Sequence, residues 1–164
     1  MALTNFCNTG LETASFVLDN TGGGTIANVH DGDADTNIAT SASSTGTAYC
    51  IYNIEIDFNT VATIEEVKIR YSLNAYFQGQ SGTMETWLYY GGSETSVDTH
   101  AGLPSVAWHN TAGLWQGVSK IRCRIRSQAS GYAVPYSHVN GYAFANMYEI
   151  QAWGSLSGGY ACII

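Results

Sequence analysis

Short runs of alternating apolar and polar residues constrain this chain to a β-fold. A period of two places successive side chains on opposite faces of an extended strand. Clusters of Gly, Ser, Asn and Thr separate the runs and supply turns. Helical periodicity is absent beyond a possible turn near residues 10–18. The clearest runs cover residues 52–58, 64–73, 86–90, 118–125 and 147–153. Together they predict an all-β fold, and one jelly-roll β-sandwich is the expected fold class.

Length and composition predict a single folded domain. A chain of 164 residues can bury roughly 70% of its unfolded surface. Hydrophobic residues make up 45% and charged residues 12% of the chain, far from the composition of disordered proteins. No repeat or long linker divides the sequence, so we treat residues 1–164 as one domain with its core in residues 12–154. No apolar run approaches the ~20 residues that cross a bilayer, and no secretory signal is visible at the start.

An acidic turn early in the chain predicts a metal site. Asp31, Asp33 and Asp35 surround Gly32 and are followed by Thr36. Calcium takes ~6–8 oxygen ligands from carboxylates, hydroxyls and carbonyls, so this loop suits it. An EF-hand is excluded because its sixth position would be Thr36 instead of Gly and its twelfth would be Ala42 instead of Glu. The alternative is an ordinary Asp-rich turn.

Four short motifs, in order, resemble the discoidin family, also called coagulation factor 5/8 type C or galactose-binding-like domains. The family's early A-x-D-G-D/N-x-x-T turn is similar to residues 29–36, and its late E-I-x-x-x-G strand is similar to residues 149–154. Residues 54–58 and 115–124 resemble two strands between them. The likeness spans roughly residues 12–154 and implies a jelly-roll β-sandwich. One departure is Ile38, where the family usually has Trp.

The resemblance also implies a structural calcium ion that joins the first loop to the last strand. Its side-chain ligands would be Asp31, Thr36 and Glu149. Backbone oxygens would come from Asn28, Asp33, Thr36 and Tyr148.

Cysteine positions predict a disulfide by the same resemblance. Many discoidin-type domains tie their ends together, and Cys7 and Cys162 lie just outside the two ends of the similar region. Cys50 and Cys123 share the parity of the apolar residues in their strands and should face the core. Four Cys allow three pairings, and buried free thiols are the alternative.

The charges are unevenly distributed along a chain with a net charge of −7. Nine of the 13 acids lie in residues 1–67, whereas all six bases alternate with apolar residues in two strand-like segments, 68–70 and 120–126. One interpretation is a stripe for nucleic acid or sulfated glycan. The favoured one is a solvated face paired across strands with Glu55, Asp57, Glu65 or Glu66. We therefore predict no nucleic-acid partner.

The catalytic motifs that sequence can reveal are missing. The four His residues, at 30, 100, 109 and 138, show no HExxH or other paired spacing, and no CxxC occurs, which argues against a transition-metal site. There is no GxSxG, P-loop or GxGxxG motif. Paired carboxylates hydrolyse glycosides, but the acids of this chain are better explained as calcium ligands or strand-face residues. We expect a protein that is not an enzyme.

Aromatic residues instead favour binding. The chain has 4 Trp and 11 Tyr, and aromatic rings give large, rigid contact area. Core packing is the alternative, which we expect for Trp115 and Trp153 and leave open for Trp108. The loop aromatics near Tyr76–Phe77 resemble the spikes of lipid-binding discoidin domains, but no bases adjoin them, which argues against membrane insertion. The residues that we predict as a sugar platform are Tyr76, Trp108, His109, Tyr136 and His138.

These features predict a non-enzymatic module that recognises a surface glycan or a protein. Residues 160–164 form an apolar end, and an exposed apolar tail is a liability. We therefore expect it to be buried against a neighbouring subunit in an assembly. That setting would be a viral capsid decoration, a tail protein or a surface filament, with the module facing outward. The alternative is a soluble secreted carbohydrate-binding module, so the predicted location is extracellular or on a virion surface.

Overall fold

A computed structural model of the chain describes residues 2–18, 25–42, 50–77, 80–81, 83–101, 105–126 and 142–156. Apart from a 3-10 helix at Ile26–Val29, the regular structure in these ranges is β-strand. The strands are β1 (Thr4–Asn5), β2 (Thr13–Leu18), β3 (Ile38–Ala42), β4 (Cys50–Phe77), β5 (Gln80–Ser81), β6 (Thr83–Tyr90), β7 (Ser93–Ala101), β8 (Ala107–Arg126) and β9 (Tyr142–Leu156).

Two long antiparallel strands, β4 and β8, connect the two layers of the sandwich. They pair from Cys50↔Arg126 to Tyr71↔Ala107, with register shifts between Asp57 and Glu66. Asn59 lies at this irregularity with φ 53°, in the left-handed region. Asn tolerates this backbone conformation better than most residues do. Bulges bend a strand and increase its twist. The two strands can therefore run from one layer into the other.

Each half of β4 and β8 recruits different neighbours. The first half of β4 pairs with β2, and the matching half of β8 pairs with β6, which in turn pairs with the edge strand β7. The second half of β4 pairs with β9, which also pairs with the short strands β1 and β3. The predicted all-β sandwich is confirmed.

The core fills the space between the layers with alternate residues of these strands. Residues 53–58 and 83–88 alternate between half-buried and buried positions, which is the pattern of a strand with one face on the core. Phe6 and Cys7 are also buried, and the Phe6 ring packs 5.8 Å from that of Phe58. The core therefore extends before residue 12, where the sequence placed its beginning.

Residues 13–18 form a strand within the segment, 10–18, where the sequence suggested a possible helical turn. β2 pairs antiparallel with β4, from Thr13↔Asp57 to Leu18↔Asn53. Ala14 and Phe16 pack against the core, whereas Thr13 is exposed. Pairing with β4 satisfies the backbone of this segment, and this tertiary contact outweighs its weak local preference.

The basic strand faces are paired with acids, as the favoured interpretation predicted. Glu55 lies 2.7 Å from Lys120 Nζ and 2.7 Å from Arg122 Nη2, while Glu94 accepts from the same guanidinium at 2.9 Å. Arg124 pairs with Glu85 at 3.0 Å. Burial alone would raise the pKa of Glu55, but hydrogen bonds from its two basic partners lower it below its usual value. These charges serve cross-strand pairing.

Cys7 and Cys123 are buried free thiols in this structure. Burial raises the pKa of both, which keeps them protonated and unreactive. Cys123 faces the core, as its parity predicted. Cys162 and the side chain of Cys50 lie outside the described residues, so the predicted bridge between Cys7 and Cys162 stays a prediction. Within the described ranges, no helix is both long and apolar enough to span a membrane.

Candidate functional site

The acidic loop, residues 28–36, starts at the end of the 3-10 helix and leads into β3. Two successive Asx turns shape it: Asp33 N donates to Asp31 Oδ1 at 2.8 Å, and Asp35 N donates to Asp33 Oδ1 at 3.0 Å. Gly32 has φ 82°, and a Cβ there would lie 2.5 Å from the Asn8 side chain. The turn therefore requires glycine at this position.

Oxygen atoms converge on the hydroxyl of Thr36. Its Oγ1 lies 3.1 Å from the Asn28 carbonyl oxygen, 2.8 Å from Asp31 Oδ2 and 3.0 Å from the Asp33 carbonyl oxygen. A hydroxyl donates only one proton, so it cannot satisfy all three acceptors at once. Asn28 is held in place because its side-chain amide donates to the Asn37 carbonyl at 2.9 Å. The acceptor oxygens around the Thr36 hydroxyl therefore outnumber the protons that this hydroxyl can donate.

Glu149 of β9 brings a buried carboxylate to the same place. The residue is fully buried, and neither of its oxygens has a hydrogen-bond partner among the described residues. Burial first, and then the nearby Asp31 carboxylate, raise the pKa of Glu149 from 4.5 to about 7. The Gly32 N–H and the Gln151 side chain lie near enough to lower this pKa, but neither forms a hydrogen bond of regular geometry with the carboxylate, and they do not reverse the shift. A buried carboxylate without donors is costly unless a cation or another charge pairs with it.

Arg70 of β4 holds the outer side of the acidic loop. Its guanidinium donates to the Ala34 carbonyl and pairs with Asp35 at 3.0 Å. The same group lies 5.2 Å from the centre of the Tyr148 ring, within the range of a cation–π contact. The residues that the sequence predicted as metal ligands from the loop and from β9 are therefore adjacent.

The predicted sugar-binding residues are only partly brought together. Trp108 and His109 are neighbours on β8, so their side chains leave opposite faces of the strand. Trp108 is 41% exposed, whereas His109 turns inward and contacts Asp98 at 2.5 Å. The side chain of Tyr76 lies outside the described residues, as do Tyr136 and His138. Trp108 and His109 therefore belong to two different surfaces.

Trp108 shares its face with charged and polar groups. It pairs across strands with Arg70, and opposite residues have Cβ atoms roughly 5 Å apart. Asn110, two residues along β8 on the same face, is exposed. The face therefore offers an aromatic ring, a guanidinium and an amide, and Arg70 connects it to the acidic loop. We call Trp108, Arg70 and Asn110 the tryptophan face.

No protein-family model matches the chain, and no curated protein matches it. Among solved structures it is similar to the module CpGH89CBM32-4 of Clostridium perfringens in complex with GlcNAc-α-1,4-galactose. That match has a TM-score of 0.60 and 14% identity and covers 93% of this chain and 94% of the other. It is also similar to chitosan-binding module 1 from a Paenibacillus chitosanase/glucanase, with a TM-score of 0.58 and 15% identity over 92% of this chain and 98% of that one.

A third similar structure is a glycoside hydrolase chain. The D221A mutant of the Ruminococcus gnavus GH29 fucosidase E1_10125 has a TM-score of 0.63 and 15% identity, and the match covers 93% of this chain but only 27% of the enzyme. At these identities the similarity establishes the fold. The chain thus shares the antiparallel β-sandwich fold of these modules.

Proposed function

We propose that this protein is a non-catalytic carbohydrate-binding module of the discoidin type. The observation that carries the proposal is its fold: 93% of the chain superimposes on a module whose structure contains GlcNAc-α-1,4-galactose. Fold alone does not fix function. The proposal therefore also depends on a surface whose chemistry suits a sugar.

The tryptophan face has that chemistry. The exposed ring of Trp108 offers a flat apolar surface for the C–H groups of a pyranose. The Arg70 guanidinium and the Asn110 amide supply donors and an acceptor for hydroxyl groups. Arg70 keeps its position because the acidic loop and the Tyr148 ring contact it. A rigid donor next to an aromatic surface orients a ligand at low entropic cost.

Titration calorimetry with galactose-terminated and N-acetylglucosamine-terminated oligosaccharides tests the function. We expect at least one to bind, and Trp108→Ala to weaken that binding at least tenfold. Leu114→Ala is the matched control, because Leu114 is an apolar residue of the same strand that is 66% exposed. Absence of binding to every oligosaccharide would contradict the proposed function. Binding that Trp108→Ala leaves unchanged would contradict the tryptophan face and move the site elsewhere.

We further propose that the acidic loop and Glu149 bind a structural calcium ion. The buried Glu149 carboxylate and the crowded oxygens around Thr36 support this proposal, because a cation would compensate both. Asp31, Thr36 and Glu149 would bind through side chains, and Asn28, Asp33, Thr36 and Tyr148 through backbone oxygens. Calcium has no catalytic part in this proposal. It would hold the loop against β9 and thereby keep Arg70 in place.

The setting of the module stays a prediction. An outward-facing subunit of a particle would bury residues 160–164 against a neighbour, and those residues lie outside the described ranges. A soluble secreted module remains the alternative. Both settings are extracellular or on a virion surface, where a glycan is accessible.

A further inference from the structure

Three potential metal ligands meet between β7 and the beginning of β8. Asp98 and His100 occupy alternate positions of the edge strand β7, so they point to the same face. His109 reaches them from β8. One oxygen of Asp98 and one ring nitrogen from each His all lie within 4.8 Å of one another. We call Asp98, His100 and His109 the histidine cluster.

The contacts within the histidine cluster are close. Asp98 Oδ2 lies 2.5 Å from His109 Nε2 and 3.8 Å from His100 Nε2. The two imidazole rings stack with their centres 3.5 Å apart and their planes 22° from parallel. Both Nε2 atoms therefore face the same carboxylate oxygen. This places two nitrogens and one oxygen around one point.

Two hydroxyl groups contact these side chains and fix their orientation. The Tyr71 hydroxyl lies 2.8 Å from His100 Nδ1, and the Thr111 hydroxyl donates to Asp98 Oδ2 at 2.6 Å. In metal sites, the second nitrogen of a ligating His usually donates to such an outer partner, and ligating carboxylates accept hydrogen bonds. With Nδ1–H directed at the Tyr71 oxygen, His100 would present Nε2 with its lone pair to a metal.

We infer that the histidine cluster binds a divalent transition-metal ion of the zinc class. Imidazole nitrogen and carboxylate oxygen are ordinary zinc ligands, and three protein ligands leave a fourth position for water. Ligand atoms of a tetrahedral zinc lie about 3.3 Å apart, so binding requires the stacked rings to tilt toward Asp98. Side-chain exposures of 16–30% leave a path for the ion.

This inference revises the expectation from sequence that a transition-metal site is absent. That expectation depended on the absence of HExxH, of other paired His spacing and of CxxC in the sequence. Here the ligands come from two strands, and only Asp98 and His100 are close in sequence. The site is independent of the proposed carbohydrate function and of the calcium site.

Titration calorimetry with zinc chloride tests the inference, in saturating calcium chloride so that the acidic loop is occupied. We expect one zinc per chain, and His100→Gln or His109→Gln to weaken affinity at least tenfold. His30→Gln is the matched control, because His30 lies outside the cluster and should leave zinc affinity unchanged. Zinc affinity that His100→Gln and His109→Gln leave unaltered would place the ion elsewhere and overturn the inference.

A measurement on the unmodified chain covers the case in which a variant fails to fold. Nuclear magnetic resonance resolves the Cε1–H signals of individual His side chains. Zinc should shift the signals of His100 and His109 and leave that of His30 in place. If the signals of His100 and His109 do not change at millimolar zinc, the cluster is only a hydrogen-bonded network and the inference is wrong.

Discussion

The acidic loop and the histidine cluster gather ligands in opposite ways. The acidic loop supplies four of the predicted ligand residues from nine consecutive positions, and β9 adds Tyr148 and Glu149. The histidine cluster takes its three ligands from two strands, β7 and β8, that are separated in the sheet by β6. A contiguous loop can be recognised in sequence, whereas a cluster that exists only after folding cannot.

The two regions also differ in how well hydrogen bonds stabilise their carboxylates when no metal is bound. Glu149 is a buried carboxylate without a hydrogen-bond donor. Asp98, by contrast, is well supported: burial alone would raise its pKa, but hydrogen bonds from Thr111 and His109 lower it below its usual value. The acidic loop should therefore lose stability without its ion, whereas the histidine cluster should remain folded.

The largest effect should follow from Gly154→Ala. A Cβ at Gly154 would lie 1.9 Å from the Thr63 carbonyl oxygen, and this backbone atom cannot move without separating β9 from β4. We expect a loss of about 3 kcal/mol or more in the free energy of unfolding, measured by urea denaturation. Because β9 carries Glu149, calcium binding should be lost as well. Ser155→Ala, one residue further along β9, is the control and should cost under about 1 kcal/mol.

A Gly154→Ala variant with unchanged stability would show that β9 sits further from β4 than the structure places it. If the variant is folded and still binds calcium, the acidic loop does not depend on the register of β9. If it is folded and loses only calcium binding, the contrast between the two regions is sharpened, because the histidine cluster contains no residue of β9.

Glu149→Gln should change the stability of the protein in opposite directions with and without calcium. At pH 8, above the pKa of about 7, Glu149 is ionised. The rise from 4.5 to about 7 corresponds to a cost of roughly 3 kcal/mol that appears as pH rises through this interval. In EDTA the variant should therefore be more stable than the wild type, by up to that amount. In calcium the order should reverse, because an ion at a thousand times its Kd stabilises only the wild type, by about 4.1 kcal/mol.

Differential scanning calorimetry with EDTA and with calcium chloride measures this crossover. Glu65→Gln removes an exposed carboxylate of β4 and serves as the control for a simple change of net charge. It should respond to calcium as the wild type does. A wild-type melting temperature that calcium leaves unchanged would contradict the calcium proposal directly.

The regular strands could be predicted from sequence because one of their faces is buried. Residues 52–58 and 118–125 alternate clearly, and both lie within the observed β4 and β8. β7 could not be predicted in this way, because Val97 is its only large apolar residue. Its backbone pairs with β6 along Ser93–Ala101. Backbone hydrogen bonds hold this edge strand, and they leave no pattern of apolar residues in the sequence.

The candidate sites likewise divide into one that the sequence predicted and one that it did not. The acidic loop was predicted from turn residues, and the structure places Asn28, Asp31, Asp33 and Thr36 together. Asp98, Tyr71 and Thr111 were missed as functional residues. The only local signal was Asp98-x-His100, whose spacing places two ligands on one face if the segment is a strand. Because β7 was not predicted, that signal had no context.

The smallest effect concerns Glu12, which lies directly before β2 and contacts the acidic loop through His30. Glu12 Oε1 lies 3.4 Å from His30 Nδ1, and Oε2 accepts from the Thr9 backbone and hydroxyl at 2.9 and 2.8 Å. Burial would raise the pKa of Glu12, but its own backbone N–H and those Thr9 groups, aided by His30, lower it to about 2.

A depressed pKa means that Glu12 stabilises the fold above its unfolded value of 4.5 and loses this contribution as pH falls toward 2. Glu12→Gln should cost about 1 kcal/mol at pH 7, and the difference from the wild type should vanish near pH 2. Urea denaturation across this range, in EDTA to exclude effects of calcium, measures both free energies of unfolding. Thr9→Ala should reproduce part of the loss, because it removes one of the donors. A difference between wild type and Glu12→Gln that stays constant from pH 7 to pH 2 would show that Glu12 acts through packing. The comparison between the acidic loop and the histidine cluster would then no longer depend on electrostatic effects.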